Sequence, residues 1–329
     1  MKAIILTAPG KFSLQTVPVP VPQAGEVLVK IEASPINPSD GAFILGLYST
    51  NKPYPTVPGF EGSGTVMSSG GGLLAWRLIG RKVALASSDH YPGLWAEYAV
   101  VSAKNCIPLP NHIPFTLGCC FFVNPLTVLM FMEKIKENKH KAVIQTAACS
   151  SLGKMFLRLC IQEKVPIINI VRRDEQISVL QEIGAEYVLN STSENFDSEL
   201  KELSKKLGAN VAFECVSGDI TGRVMNAMPD GSVVYLYGAM SMGPAEGINP
   251  GSVIFANKSL RGLWLTTWLA NQGLFKLYRL MNKVVEMLPG ILRSDVSREF
   301  SLEEVTEALE FYQKNMSAGK VLIRPSLNN

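Results

Sequence analysis

The sequence predicts an α/β chain with two domains, one β-rich and one built on a doubly wound parallel sheet. Three observations carry that expectation. The 329 residues are about twice an ordinary domain. The first third breaks into short apolar runs separated by Pro and Gly, and beyond about residue 123 apolar strand, turn and helix alternate. Apolar residues make up 47% and charged residues 18%, enough to build a core and too little charge for a disordered chain. The formal charge of +3 gives no electrostatic case for nucleic acid, so a small molecule is the expected partner.

In the first third, Ala3 to Leu6 reads as an opening strand. Between Glu26 and Ala33 the residues Val27, Val29, Ile31 and Ala33 alternate with more polar neighbours, the period of a half-buried strand. Gly64 to Met67, Lys82 to Ala86 and Ala96 to Val101 are further strands, and together they predict a compact, barrel-like domain.

The second pattern begins with the strand Ala142 to Thr146. A helix follows from Gly153, with Lys154, Arg158 and Gln162 on its polar row and Met155, Phe156, Leu159 and Cys160 facing inward. Next come a strand at Ile167 to Val171, a helix from Asp174 to Ile183 stopped by Gly184, and a strand closed by Leu189. A helix carrying Phe196, Leu200, Leu203 and Leu207 ends at Gly208. Strands Val211 to Glu214 and Ser232 to Tyr237 flank a helix around Ile220 to Met228. This alternation implies a parallel sheet covered on both faces. Near the end, Ser301 and Glu304 have capping-box spacing before the stripe Val305, Ala308, Leu309 and Tyr312. The last strand, Lys320 to Arg324, is expected to return to the first domain.

The six cysteines form no CxxC pair, so reduced thiols and a cytoplasmic location are expected. Neither a signal peptide nor an Arg-rich transit peptide is visible in the first twenty residues. The stretch Asn105 to Met132 carries no formal charge, yet Pro114 and Pro125 divide its most apolar part, and it reads as a buried crossover rather than a membrane span.

Chemistry first shows where the strand VIQTA runs into Ala148, Cys149, Ser150, Ser151, Leu152 and Gly153 and then a helix. That is where a Rossmann unit holds a pyrophosphate on backbone N–H groups. Ser151 stands where a glycine is common, so the residues alone leave open an ordinary strand-to-helix turn. Nineteen residues past Gly153, Arg172 and Arg173 occupy the strand end where a carboxylate would hold the ribose 2′-OH of NAD. Two guanidiniums there suit a 2′-phosphate and favour NADPH. A solvated pair at the start of a helix, capped by Asp174, is the alternative.

These segments resemble the zinc-independent branch of the medium-chain dehydrogenase/reductase superfamily, and within it the 2-enoyl thioester reductases of the mitochondrial type. The anchors are INPSDGAFILGLY at 36 to 48, PGFEGSGTV at 58 to 66, WAEYAVV at 95 to 101, VNPLTV at 123 to 128, VIQTAACSSLG at 143 to 153, INIVRR at 168 to 173, YGAM at 237 to 240 and RGLWLTTW at 261 to 268. The resemblance implies a GroES-like catalytic domain from residues 1–122 and 268–329, a Rossmann NADPH domain from 123–267, cofactor between them, and a homodimer.

Where the zinc-dependent members begin their catalytic metal site with Cys and His, this sequence has Asn37 and Phe60, which offer neither thiolate nor imidazole. No metal is therefore expected, and hydride addition to an activated double bond suits such a site better than carbonyl reduction. The resemblance makes Tyr48 the proton donor; by position alone it reads as a loop aromatic packed on its neighbours. Asn124 would orient the nicotinamide region or a substrate carbonyl, and Cys149, Ser150, Ser151 and Leu152 would wrap the pyrophosphate. Arg172, Arg173 and Asp174 would meet the adenosine end. Tyr237, Gly238, Ala239 and Met240 would lie against the dinucleotide, while Leu263, Trp264, Leu265, Thr266 and Lys320 would close over the nicotinamide half. Trp264 and Trp268 either line an acyl pocket or pack as core. Ser151 and Ala239 each replace a glycine common in the group.

The leading functional expectation is an NADPH-dependent reductase of 2-enoyl thioesters. An NADPH:quinone oxidoreductase is the alternative among enzymes, and a non-catalytic NADPH-binding redox sensor the alternative outside them.

Overall fold

The computed structural model describes residues 1–50 and 52–327, and the chain divides into two units, residues 1–125 with 279 onward, and 126–278. In the first unit, β1 (Lys2–Ala8) and β2 (Lys11–Thr16) pair antiparallel. A larger sheet starts from β3 (Glu26–Pro35), β4 (Glu61–Ser69), β5 (Lys82–Ala86), β6 (Tyr98–Ser102) and β7 (Cys106–Pro108). The alternation of β3 is realised literally: Val27, Val29, Ile31 and Ala33 are all fully buried, and the residues between them are not. Ala96 lies outside β6; it bridges Ala3, and the Trp95 carbonyl accepts the Ile4 N–H.

The second unit holds β8 (Ala142–Gln145), β9 (Ile167–Val171), β10 (Tyr187–Asn190), β11 (Ala209–Glu214), β12 (Val233–Leu236) and β13 (Ser259–Gly262). All neighbours pair parallel in the order β10-β9-β8-β11-β12-β13. Counted within the unit this is 3-2-1-4-5-6, the Rossmann order, with its switch point between β8 and β11. Every residue of β8 and β9 is buried, as strands covered on both faces must be. Helix Ser151–Gln162 buries Met155, Phe156, Leu159 and Cys160. Gly184 and Gly208 end their helices in the left-handed region, at φ 106° and 66°. Phe131 stacks on Phe213 at 4.1 Å and meets Phe156 edge-on at 5.2 Å, an aromatic knot beneath the sheet.

The chain returns with β14 (Val296–Phe300) and β15 (Lys320–Ile323), completing the order β14-β15-β3-β4-β5-β7, with β6 also on β3. Helix Val305–Lys314 starts later than the Ser301 spacing suggests, because Ser301 N–H and Oγ both donate to Glu304 Oε2, at 2.8 and 2.9 Å, and the coil turns only after Glu304.

The division falls at 125/126 and 278/279, where the sequence reading put it at 122/123 and 267/268. The second shift has a physical cause. Trp268 Nε1 donates to Glu133 Oε1 at 3.0 Å, and Lys276 Nζ pairs with Glu133 Oε2 at 2.6 Å, binding residues 265–278 to the Rossmann unit. All six cysteines are unpaired and buried. Among the described residues no helix is long and apolar enough to cross a membrane, and the uncharged stretch after Asn105 runs through β7, helix Phe115–Gly118 and helix Val123–Glu137.

Candidate active site and dinucleotide site

In the first unit the polar residues that sequence reasoning could not connect meet in one buried cluster. Asn37 begins helix Pro38–Ile44, and its N–H donates to Asp40 Oδ2 at 2.8 Å. Asp40 Oδ1 accepts the Phe60 N–H at 3.0 Å. Asn37 Nδ2 donates to Glu61 Oε1 at 3.0 Å, and Lys320 Nζ donates to Asn37 Oδ1. Glu61 Oε2 accepts the N–H groups of Phe122 at 2.8 Å and Val123 at 3.0 Å. That carboxylate thereby caps helix Val123–Glu137 and complements its positive end. Asn37, Asp40 and Glu61 are 0% exposed and Lys320 3%, so the charges stand or fall by their mutual pairing. Burial raises the Asp40 carboxyl to about 7 against its hydrogen bonds, and it raises Glu61 as well, opposed chiefly by the Lys320 ammonium.

Lys320, expected over the nicotinamide, holds its ammonium against Asn37 at 3% exposure. Asn124 follows directly on the capped Val123 and is 6% exposed, so its backbone position is fixed by Glu61.

Tyr48 lies beyond the helix end, half-buried, where Gly46 takes φ 73° and Leu47 N–H returns to the Ala42 carbonyl at 2.8 Å. Its ring packs on Phe60 at 5.1 Å, and Phe60 packs on Phe43 at 5.5 Å. Phe60 thereby packs between the rings of Tyr48 and Phe43. A zinc ion finds no ligand at these two positions, since Asn37 is committed to Glu61 and Lys320 and Phe60 has no donor atom. Among the described residues, no group of three or more His, Cys, Asp or Glu side chains is placed to hold a metal ion.

In the second unit the expected cofactor residues gather at the carboxyl ends of the strands. Ser150 Oγ accepts the Gly153 N–H at 3.1 Å, which starts the helix at Ser151, two residues earlier than the sequence suggested. Helix geometry leaves the Ser151 and Leu152 N–H groups without intrahelical acceptors, the usual seat of a phosphate. Gly153 is needed: a Cβ there would lie 2.4 Å from the Ala148 carbonyl oxygen. Burial raises the Cys149 thiol, offset by Lys154 and then Arg173, so both cations bear on this turn. Arg172 and Arg173 are exposed at the end of β9. Asp174 does not cap its helix with its side chain; it accepts from Asn190 Nδ2 at 2.7 Å.

Tyr237 and Met240 are pinned to the β11 end, with N–H bonds to Glu214 and Cys215 carbonyls at 2.9 Å each. Desolvation and the neighbouring Cys215 push the Tyr237 phenol well above its ordinary value. Gly238 packs against Cys215, where a Cβ would meet the cysteine's Cβ at 3.0 Å, while Ala239 is exposed. Leu263 N–H bonds the Leu236 carbonyl at 2.9 Å, Trp264 is 43% exposed, and Leu265 and Thr266 open the next helix. Trp268 is 7% exposed, and its indole N–H is tied to Glu133.

Sequence reasoning missed Glu214, which is fully buried at the end of β11. It accepts from Thr146 Oγ1 at 3.1 Å and Thr221 Oγ1 at 2.8 Å, as well as from the Ser217 N–H. A charged residue closing an otherwise apolar strand was the only available signal.

A two-domain reductase that uses a nicotinamide cofactor is the class this fold and site define. Residues 23–111 match the alcohol dehydrogenase GroES-like domain and residues 151–282 the zinc-binding dehydrogenase domain. A mitochondrial enoyl-[acyl-carrier-protein] reductase of Caenorhabditis elegans is 31% identical over 79% of this chain and 75% of its own length. Prostaglandin reductase-3 of Mus musculus is 29% identical over 93% of this chain and 83% of its own. A solved structure from Mesorhizobium loti, described as a candidate NADPH:quinone reductase, superposes with a TM-score of 0.91 at 32% identity, covering 99% of this chain and 98% of the other. The chain belongs to the medium-chain dehydrogenase/reductase superfamily. It is an oxidoreductase of that superfamily.

Proposed function

We propose that this protein is a zinc-independent, NADPH-dependent reductase of a C=C bond conjugated to a carbonyl, with 2-enoyl thioesters as the leading substrate class. The observation that carries the reading is the pairing of Tyr48 with Phe60, ring to ring at 5.1 Å, where metal-dependent relatives need an imidazole. NADPH, when bound, supplies a hydride for the β-carbon. Tyr48 gives its phenolic proton to the α-carbon of the resulting enolate; a phenol of ordinary pKa near 10 is protonated at neutral pH and is thus competent. The Ser151 and Leu152 N–H groups hold the pyrophosphate, and Arg172 and Arg173 receive the 2′-phosphate.

The Mesorhizobium loti likeness favours a second reading, reduction of a quinone, for which a proton-donating tyrosine is less necessary. NADPH oxidation followed with crotonyl-CoA and with a simple quinone, in wild type and Tyr48→Phe, separates the two. Enoyl turnover lost in Tyr48→Phe is the expected result. Quinone turnover indifferent to the substitution, without enoyl turnover, overturns the first reading.

A further inference from the structure

Lys52 is a buried cation for which neither the fold nor the proposed chemistry has yet supplied a use. It is 7% exposed, an unusual place for a lysine. Its ammonium donates to Ser87 Oγ at 2.6 Å and lies 5.5 Å from the centre of the Phe60 ring. Ser87 Oγ also contacts the Tyr91 and Pro92 carbonyls, at 3.1 and 2.8 Å, so its hydroxyl is already engaged in the loop that receives the ammonium. Phe60 is the ring on which Tyr48 packs. An ammonium and a phenol thus share one aromatic wall, drawn from chain positions four residues apart.

The charged groups bearing on Lys52 are few. Asp89, whose Oδ1 accepts Thr50 Oγ1 at 2.7 Å, and the interior Asp40 both favour the ammonium, and burial opposes it more strongly, leaving the group near 8 rather than 10.5. Tyr48 is a titratable neighbour at the same ring.

Resting on the reading of Tyr48 as proton donor, we infer that Lys52 is a positioning residue for it, whose ammonium at the Phe60 ring stabilises the phenolate left by proton transfer and sets the alkaline limit of turnover. In that step the Tyr48 O–H bond breaks and a C–H bond forms at the α-carbon. The O–H electron pair stays on the phenolate oxygen, and a solvent proton then restores the phenol. A buried positive charge near a developing negative one acts in a low-dielectric setting, where it counts for more than in water. Desolvation of the same ammonium makes the device pH-sensitive: activity is present while Lys52 is charged and falls as pH rises through about 8.

The test is the pH dependence of kcat for NADPH-dependent crotonyl-CoA reduction in wild type, Lys52→Arg, Lys52→Met and Tyr48→Phe, with NADPH binding by fluorescence as the check on folding. Wild type should lose turnover as pH rises through about 8. Lys52→Arg, charged throughout, should carry that limb upward by at least about one pH unit, the equivalent of tenfold in proton affinity. Lys52→Met should lose about tenfold in kcat at pH 7 and show no limb near 8, with the KM for NADPH unchanged. Tyr48→Phe inactive while both Lys52 variants keep the wild-type limb and rate overturns this inference alone. Full turnover in Tyr48→Phe overturns the Tyr48 reading and the role of Lys52 together.

Discussion

Asn37 donates its amide to Glu61 at 3.0 Å in the interior of the first unit, and neither residue has any exposed surface. The bond joins the start of helix Pro38–Ile44 to the start of β4, and through Glu61 to the capped helix Val123–Glu137. With Lys320 on the other side of the same amide, three distant stretches of chain are held by one side chain.

Removal of the acceptor should be severe. Glu61→Ala strips partners from Asn37, Phe122 and Val123 and leaves the Lys320 ammonium poorly compensated, so a loss of about 3–5 kcal/mol is expected. Urea unfolding at neutral pH checks it, and a change within 1 kcal/mol, on the order of a surface substitution, contradicts the role given to Glu61.

Asp40 should make the protein less stable as pH rises. Its folded-state pKa of about 7 lies above the 3.8 of the free side chain, so between those values the folded state binds more protons than the unfolded one. Stability then declines from about pH 4 to about pH 7. The urea midpoint of wild type should fall across this range relative to that of Asp40→Asn, which cannot titrate; parallel curves refute the prediction.

Arg172→Ala with Arg173→Ala should weaken NADPH while sparing NADH. Charge-assisted hydrogen bonds to a phosphate are worth about 1.5–3 kcal/mol, or roughly ten- to hundredfold in Kd. Titration of both coenzymes by fluorescence reads the ratio, and equal losses for the two would remove the arginines from the 2′-phosphate.

Gly153→Ala should cost about 1–3 kcal/mol through overpacking, because its methyl would stand 2.4 Å from backbone oxygen rather than from a side chain that can move. The displaced helix start should weaken NADPH binding in parallel. Calorimetry and a binding titration report the two effects; wild-type values in both mean that the turn yields without strain.

Legibility in the sequence followed the range of the forces involved. Strand β9 and strand β5 run over the residues that their β-branched and apolar patterns marked. Gly184 and Gly208 stop their helices because only a residue without a Cβ enters the left-handed region cheaply. The helix start at Ser151 was misplaced because a side-chain cap from Ser150, one hydrogen bond, moved it. Nothing near Trp268 in sequence marked the partner of its indole N–H, Glu133, 135 residues away.

By itself the sequence determined the two-domain α/β architecture, the strand-to-helix turn at residues 148–153 and the arginine pair that closes the next strand, since each is written in periodicity or in neighbours within a few residues. Only the tertiary structure decided that Lys320 is interior, that Glu61 caps a helix and that Lys52 and Tyr48 share Phe60. Those contacts depend on which buried charges find partners once the sheets close, and burial makes pairing obligatory without leaving a mark in local sequence.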